Sequence, residues 1–136
     1  MPLDALDDAV VGFLLSDATL MAMLEGEVYL DLAPEGVDTP YVIVSLQQEI
    51  PTFEFGGVAF VTARYSITVY DKAKTKTAAQ AAVDRIDVLL NDGAPSITGF
   101  TLMVCHRVER RASVRQEGAF WWQERACDYE LWASPS

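Results

Sequence analysis

Val58 to Tyr70 reads VAFVTARYSITVY, and its second half decides the fold. Val61, Ala63, Tyr65, Ile67 and Val69 fall on one face, and Thr62, Arg64, Ser66 and Thr68 on the other. Successive side chains of a strand point to opposite sides, so this is a half-buried antiparallel strand with one wet face. An apolar sheet face needs a cover, and a candidate follows at once. Thr77 to Leu90, TAAQAAVDRIDVLL, keeps Ala79, Ala82, Val83, Ile86, Leu89 and Leu90 at helical spacing, and Asn91-Asp92-Gly93 stops it. Thr77 and Gln80 have the spacing of a capping box. The alanines at 78, 79, 81 and 82 allow close approach to a sheet, with Asp84, Arg85 and Asp87 assigned to solvent.

Upstream, Leu6, Val10, Phe13 and Leu14 mark an amphipathic helix over about 4–15, with Asp4, Asp7 and Asp8 at its positive end. Ser16 and Asp17 can cap a second short helix from Ala18 to Leu24, with Gly26 as its C-cap. Strands are expected at about 28–30 and 41–48, separated by a loop punctuated by Pro34, Gly36, Asp38 and Pro40. Glu49 to Gly57, EIPTFEFGG, reads as a long connection carrying Phe53 and Phe55 on a loop that either folds over the core or meets a partner.

Downstream, Ile97–Glu109 and Phe120–Ala133 read as two long strands around a polar connection, Arg110–Gly118. Phe100, Leu102, Val104 and Val108 share one face, as do Cys127, Tyr129 and Leu131, an arrangement that points Cys105 away from Cys127. A one-residue slip would instead bring the two cysteines opposite each other. Two free buried thiols is the simpler reading. The order α(α)-β-β-β-α-β-β is that of an α+β domain over residues 1–136, a largely antiparallel sheet with helices packed on one face.

The 136 residues are 51% apolar and 22% charged, enough for a real core. No apolar run approaches the roughly 20 residues of a bilayer span, and the acidic N-terminus lacks a basic signal-peptide region, so a cytosolic protein with no membrane association is expected. The net charge of −10 opposes a phosphate-gripping role. That charge is unevenly distributed. No Lys or Arg precedes Arg64, while eleven acids do (Asp4, Asp7, Asp8, Asp17, Glu25, Glu27, Asp31, Glu35, Asp38, Glu49 and Glu54), so residues 1–63 carry −11 and the remainder ten bases against nine acids, or +1.

Catalytic equipment is sparse. His106 is the one histidine, and its alternating strand context favours a partly exposed structural role. Nucleophile elbows, P-loops and dinucleotide fingerprints do not occur, the cysteines match no zinc spacing, and Asp84 with Asp87 recruits no further ligand. No enzyme, metal or cofactor is expected. The basic run HRVERRASVR, residues 106–115, is the outstanding feature. Arg107, Arg110, Arg111 and Arg115 could meet the acidic side of a neighbouring subunit, with Trp122 and adjacent aromatics supplying apolar contact, or could serve acids of their own chain.

In order and spacing, four blocks resemble the tail completion, or tail terminator, proteins of long-tailed bacteriophages and related tail-bearing particles. They are Leu14–Tyr29 (LLSDATLMAMLEGEVY), Ala33–Val44 (APEGVDTPYVIV), Arg64–Asp71 (RYSITVYD) before the alanine-rich helix, and Glu124–Trp132 (ERACDYELW). The chain departs from the family in three ways: a glycine-poor tip at Gln116-Glu117-Gly118, Cys127 in place of a larger aliphatic residue, and dense arginines at 107–115. The resemblance implies a non-enzymatic virion protein, assembled in the host bacterial cytoplasm. It would form a ring, commonly a hexamer, that caps the tail tube, stops its polymerisation and presents a surface to the head-tail connector. On that reading Phe53 and Phe55 would dock on the major tail tube protein or the connector. Asp31, Glu35 and Asp38 would include lumen-facing acids past which DNA slides without specific binding. The alternatives are a head-tail joining (neck) protein on the connector side, or a monomeric adaptor or ligand-binding protein using the Phe53/Phe55 loop as a lid.

Overall fold

The structure, a computed structural model, describes residues 4–93 and 95–135. The elements are α1 (Asp4–Leu15), α2 (Ala18–Met23), β1 (Val28–Leu30), β2 (Tyr41–Glu54), β3 (Gly57–Lys72), α3 (Thr77–Leu90), β4 (Phe100–Glu117) and β5 (Phe120–Pro135). They form one five-stranded sheet in the order β1-β2-β3-β5-β4. Every pairing is antiparallel except β1 with β2, which run parallel.

All three helices lie over one face. Leu6, Val10 and Leu14 of α1, Leu20 of α2, and Ala79, Ala82, Val83, Ile86 and Leu90 of α3 join Val61, Ala63, Tyr65, Ile67 and Val69 of β3 in a single buried cluster. Among the described residues the other face of the sheet carries no helix.

Local chemistry fixes the ends. The Asp17 carboxylate accepts from Leu20 N at 2.8 Å, the expected N-cap of α2, and also takes two bonds from Arg85 of α3 at 2.8 and 2.9 Å. One carboxylate thus starts one helix and ties it to another. Gly26 is no C-cap, since Leu24 holds that position. Its role is close approach: a Cβ there would sit 2.5 Å from Asp38 O and 2.7 Å from Tyr41 Cβ. At α3 the capping box does not form. Lys76 is the N-cap without a side-chain bond, and Gln80 instead donates to Asp84 and accepts from Arg125.

Two segments expected as connections are strand. Glu49–Glu54 continues β2 and Gly57 opens β3, so the Phe53 region is the end of a hairpin closed by Phe55-Gly56, with Gly56 at φ 93°. Likewise Arg110–Glu117 continues β4, closed by Gly118 at φ 59° and Ala119. Residues 50–57 and 108–121 are exposed throughout, whereas Gln123, Ala126 and Cys127 of β5, opposite part of the second stretch, are buried.

Two register shifts in β4, at Leu102/Val104 and Arg107/Glu109, change which residues face the helices. Val104 and Val108 therefore leave the core, and Cys105 enters it on the same face as Cys127. This corrects the expectation that Cys105 points away. The thiols remain free because Cys105 lies opposite Leu131 while Cys127 lies opposite Arg110. Burial pushes both thiols up, Cys105 to about 12.

Candidate functional site: two arms and two charged edges

Strand order separates the charges. At the β1 edge, Glu25, Glu27, Asp31, Glu35 and Asp38 are all exposed, and none forms an ion pair among the described residues. Asp31 accepts from Ser45 Oγ at 3.3 Å, and Leu32 beside it is almost bare. The opposite edge is β4, bearing the four arginines singled out in the sequence.

Alternation and the bulges split those arginines between two faces. Arg107 and Arg110 reach α3, pairing with Asp87 at 2.8 Å and Asp84 at 3.5 Å. Asp87 is thus turned toward the sheet and not to solvent, and it also accepts from Tyr129 Oη at 2.9 Å. Arg111 and Arg115 lie on the helix-free face. Arg111 pairs with Asp128 at 2.6 Å and bonds Ser66 at 2.7 Å, while Arg64 reaches the same Asp128 at 3.0 Å. Burial works against the Asp128 charge, but hydrogen bonds from Arg111, Arg64 and Ser66 outweigh it and hold its carboxyl below the usual range. Arg115 pairs with Glu124 at 3.1 Å and lies over the Trp122 ring.

Each arginine of the run therefore has an acid in its own chain, and all those acids come from the C-terminal half. Sequence inspection missed three lysines that lack one. Lys72, Lys74 and Lys76 are exposed and form no ion pair among the described residues. The available signal was the absence of neighbouring acids: only Asp71 adjoins the lysines, and it is buried, whereas Glu109 lies within the arginine run and Glu117 just after it.

The two arms leave opposite ends of the sheet. Val61 pairs with Ala133 at one end of β3 and Lys72 with Trp122 at the other. Beyond the first end lies the Phe53-Glu54-Phe55 tip, with Phe53 68% exposed and Phe55 wholly so. Beyond the second is a groove of about 330 Å³ lined by Lys72, Ala73, Lys74, Ala119, Phe120 and Trp121. Lys72 Nζ stands 4.2 Å above the Phe120 ring. Among the described residues no cluster of three or more His, Cys, Asp or Glu could hold a metal, and no helix is long and apolar enough to cross a membrane. His106 sits half-buried on β4 opposite Glu130.

Comparison with known proteins agrees with this architecture. A chain from the virion of a native gene transfer agent particle superposes with TM-score 0.72 at 25% identity, covering 97% of this chain and 95% of that one. A second solved chain, 12% identical, shares the fold with TM-score 0.63 over 96% of each. No curated protein matches. The sequence profile described as Tail completion protein gp17 matches residues 8–132, and the chain belongs to that tail completion protein family.

Proposed function

We propose that this structural tail protein forms a ring that caps the tail tube, stops its polymerisation and offers its other surface to the head-tail connector. The observation that carries the reading is the segregation of charge: acids with no ion pair among the described residues on the β1 edge, internally neutralised arginines on the β4 edge. A β1 edge turned inward lines a lumen with Glu25, Glu27, Asp31, Glu35 and Asp38. Like charge keeps passing DNA from adhering, which is what a conduit requires. The β4 edge then faces outward, and strands run around the ring, so hairpin arms point at neighbouring subunits. The helix face and the helix-free face are left for tube and connector, in an order that capping assays on each face can assign. Arg115 and Trp122, paired near the tip of the β4–β5 arm, flank the subunit contact. Arg107, Arg110 and Arg111 brace the arm and leave guanidinium surface for a neighbour's acids. No covalent chemistry is involved.

The test is solution mass by light scattering at two salt concentrations, with and without purified tail-tube protein. A ring, or a monomer that becomes a ring on tube ends and halts their growth, is the expected result. A monomer indifferent to tubes removes the reading. A chain that ignores tubes but binds the connector would favour the neck assignment.

A further inference from the structure

We infer that the Phe53-Glu54-Phe55 tip of one copy docks in the Lys72/Lys74/Phe120/Trp121 groove of the next. This deepens the ring reading and rests on it by naming the surfaces that join subunits.

Three observations carry it. First, the tip and groove are complementary in kind. The tip offers two bare phenyl rings around one carboxylate, and Glu54 forms no ion pair among the described residues. The groove offers the apolar rings of Phe120 and Trp121 together with Lys72, whose ammonium stands over the Phe120 ring, and Lys74. Phenyl rings entering it shed water while Glu54 gains two cations whose charge no acid among the described residues neutralises. Secondly, a chain cannot satisfy itself. The register from Val61 to Lys72 separates the two sites by roughly 35 Å at about 3.3 Å per residue, so the tip must enter another copy. Thirdly, Phe53 and Glu54 of the tip and Lys72, Phe120 and Trp121 of the groove lie on strands, with Ala73 and Lys74 in the short connection that follows β3, so little ordering entropy opposes docking. A contact between unlike surfaces at opposite ends repeats from copy to copy, and it closes into a ring when the rotation per step allows. The tube protein and the connector are the other conceivable occupants of the tip, and the experiment separates them.

Two variants of the full chain are needed: a tip variant, Phe53→Asp with Phe55→Asp, and a groove variant, Lys72→Glu with Lys74→Glu. All four positions are exposed, so both should fold, with far-ultraviolet circular dichroism and urea midpoint as controls. Sedimentation should show each variant alone losing self-association by at least about tenfold. Mixed one to one, they should form a species of twice the monomer mass and stop there, because one intact tip meets one intact groove. Glu54→Lys combined with the groove variant should restore association to single chains. Single variants that assemble like the parent, or a mixture that stays monomeric, overturn the inference. Tip variants that keep their rings but lose tube or connector binding also overturn it, since the tip then belongs to that partner. Intact rings that leave tube growth unchecked would sink the capping reading while leaving this contact in place.

Discussion

Tyr65 and Tyr129 stand opposite each other across β3 and β5, both fully buried, and their hydroxyls reach different helices. Tyr65 donates to Asp7 of α1 at 2.5 Å and Tyr129 to Asp87 of α3 at 2.9 Å. Burial pushes both hydroxyls well above the ordinary tyrosine range, and the adjacent carboxylates add to the effect. The pair fixes the two longest helices over neighbouring strands. Tyr65→Phe removes one donor while filling the same space and leaves the part-buried Asp7 short of a partner. A loss of about 1–3 kcal/mol is expected, read as a lower urea midpoint at unchanged slope.

Asp128 holds Arg64 and Arg111 together on the helix-free face. Its folded carboxyl titrates below the ordinary value near 4, so its stabilising contribution is present above that value and lost as pH falls through the folded one. Both arginines are more than a third exposed, so screening keeps the contribution on the order of 1–3 kcal/mol. Asp128→Asn should therefore be less stable than the parent at pH 7, and the gap should narrow as pH falls below the ordinary carboxylate range. A gap independent of pH would contradict the assignment.

Cys105 and Cys127 should resist thiol reagents at pH 8 in native protein and react at two equivalents in denaturant. The cause is burial, which disfavours the thiolate that reacts. Fast native labelling of Cys105 would mean that the β4 bulges do not turn it inward.

Gly26 meets the backbone of Asp38 and the Cβ of Tyr41 too closely to accept a methyl group. Gly26→Ala should cost about 1–3 kcal/mol by calorimetry or urea titration, because backbone must move to make room. Gly12→Ala is the control, since nothing lies within 4 Å of its added carbon.

The sequence was legible wherever one side of an element is buried. The bounds of α1 and α3 follow from Leu6, Val10 and Leu14 and from Ala79, Ile86 and Leu90, and β3 follows from Val61 to Val69, because burial imposes a period. The two arms were not legible, for the converse reason. Phe53, Glu54, Val114 and Arg115 have both faces in solvent, so no alternation records that they are strand. The bulges at Leu102/Val104 and Arg107/Glu109 exchange core and surface without a marker in composition, which is why Cys105 was assigned to the wrong side. Of the candidate site, the separation of charge along the chain was plain. What the chain could not reveal is that the conspicuous arginines are spent on internal acids while the lysines at 72 and 74 stay unpaired, since that depends on which strands end side by side.

On the proposed function, the protein terminates tube growth. The most direct measurement is tail-tube polymerisation followed by electron microscopy, with the protein added at ratios from far below to just above one ring per tube end. Growth should stop at a ratio set by the number of ends, with density for the protein at the tips of arrested tubes. Tubes that lengthen at the same rate and to the same extent with folded protein present would contradict the account.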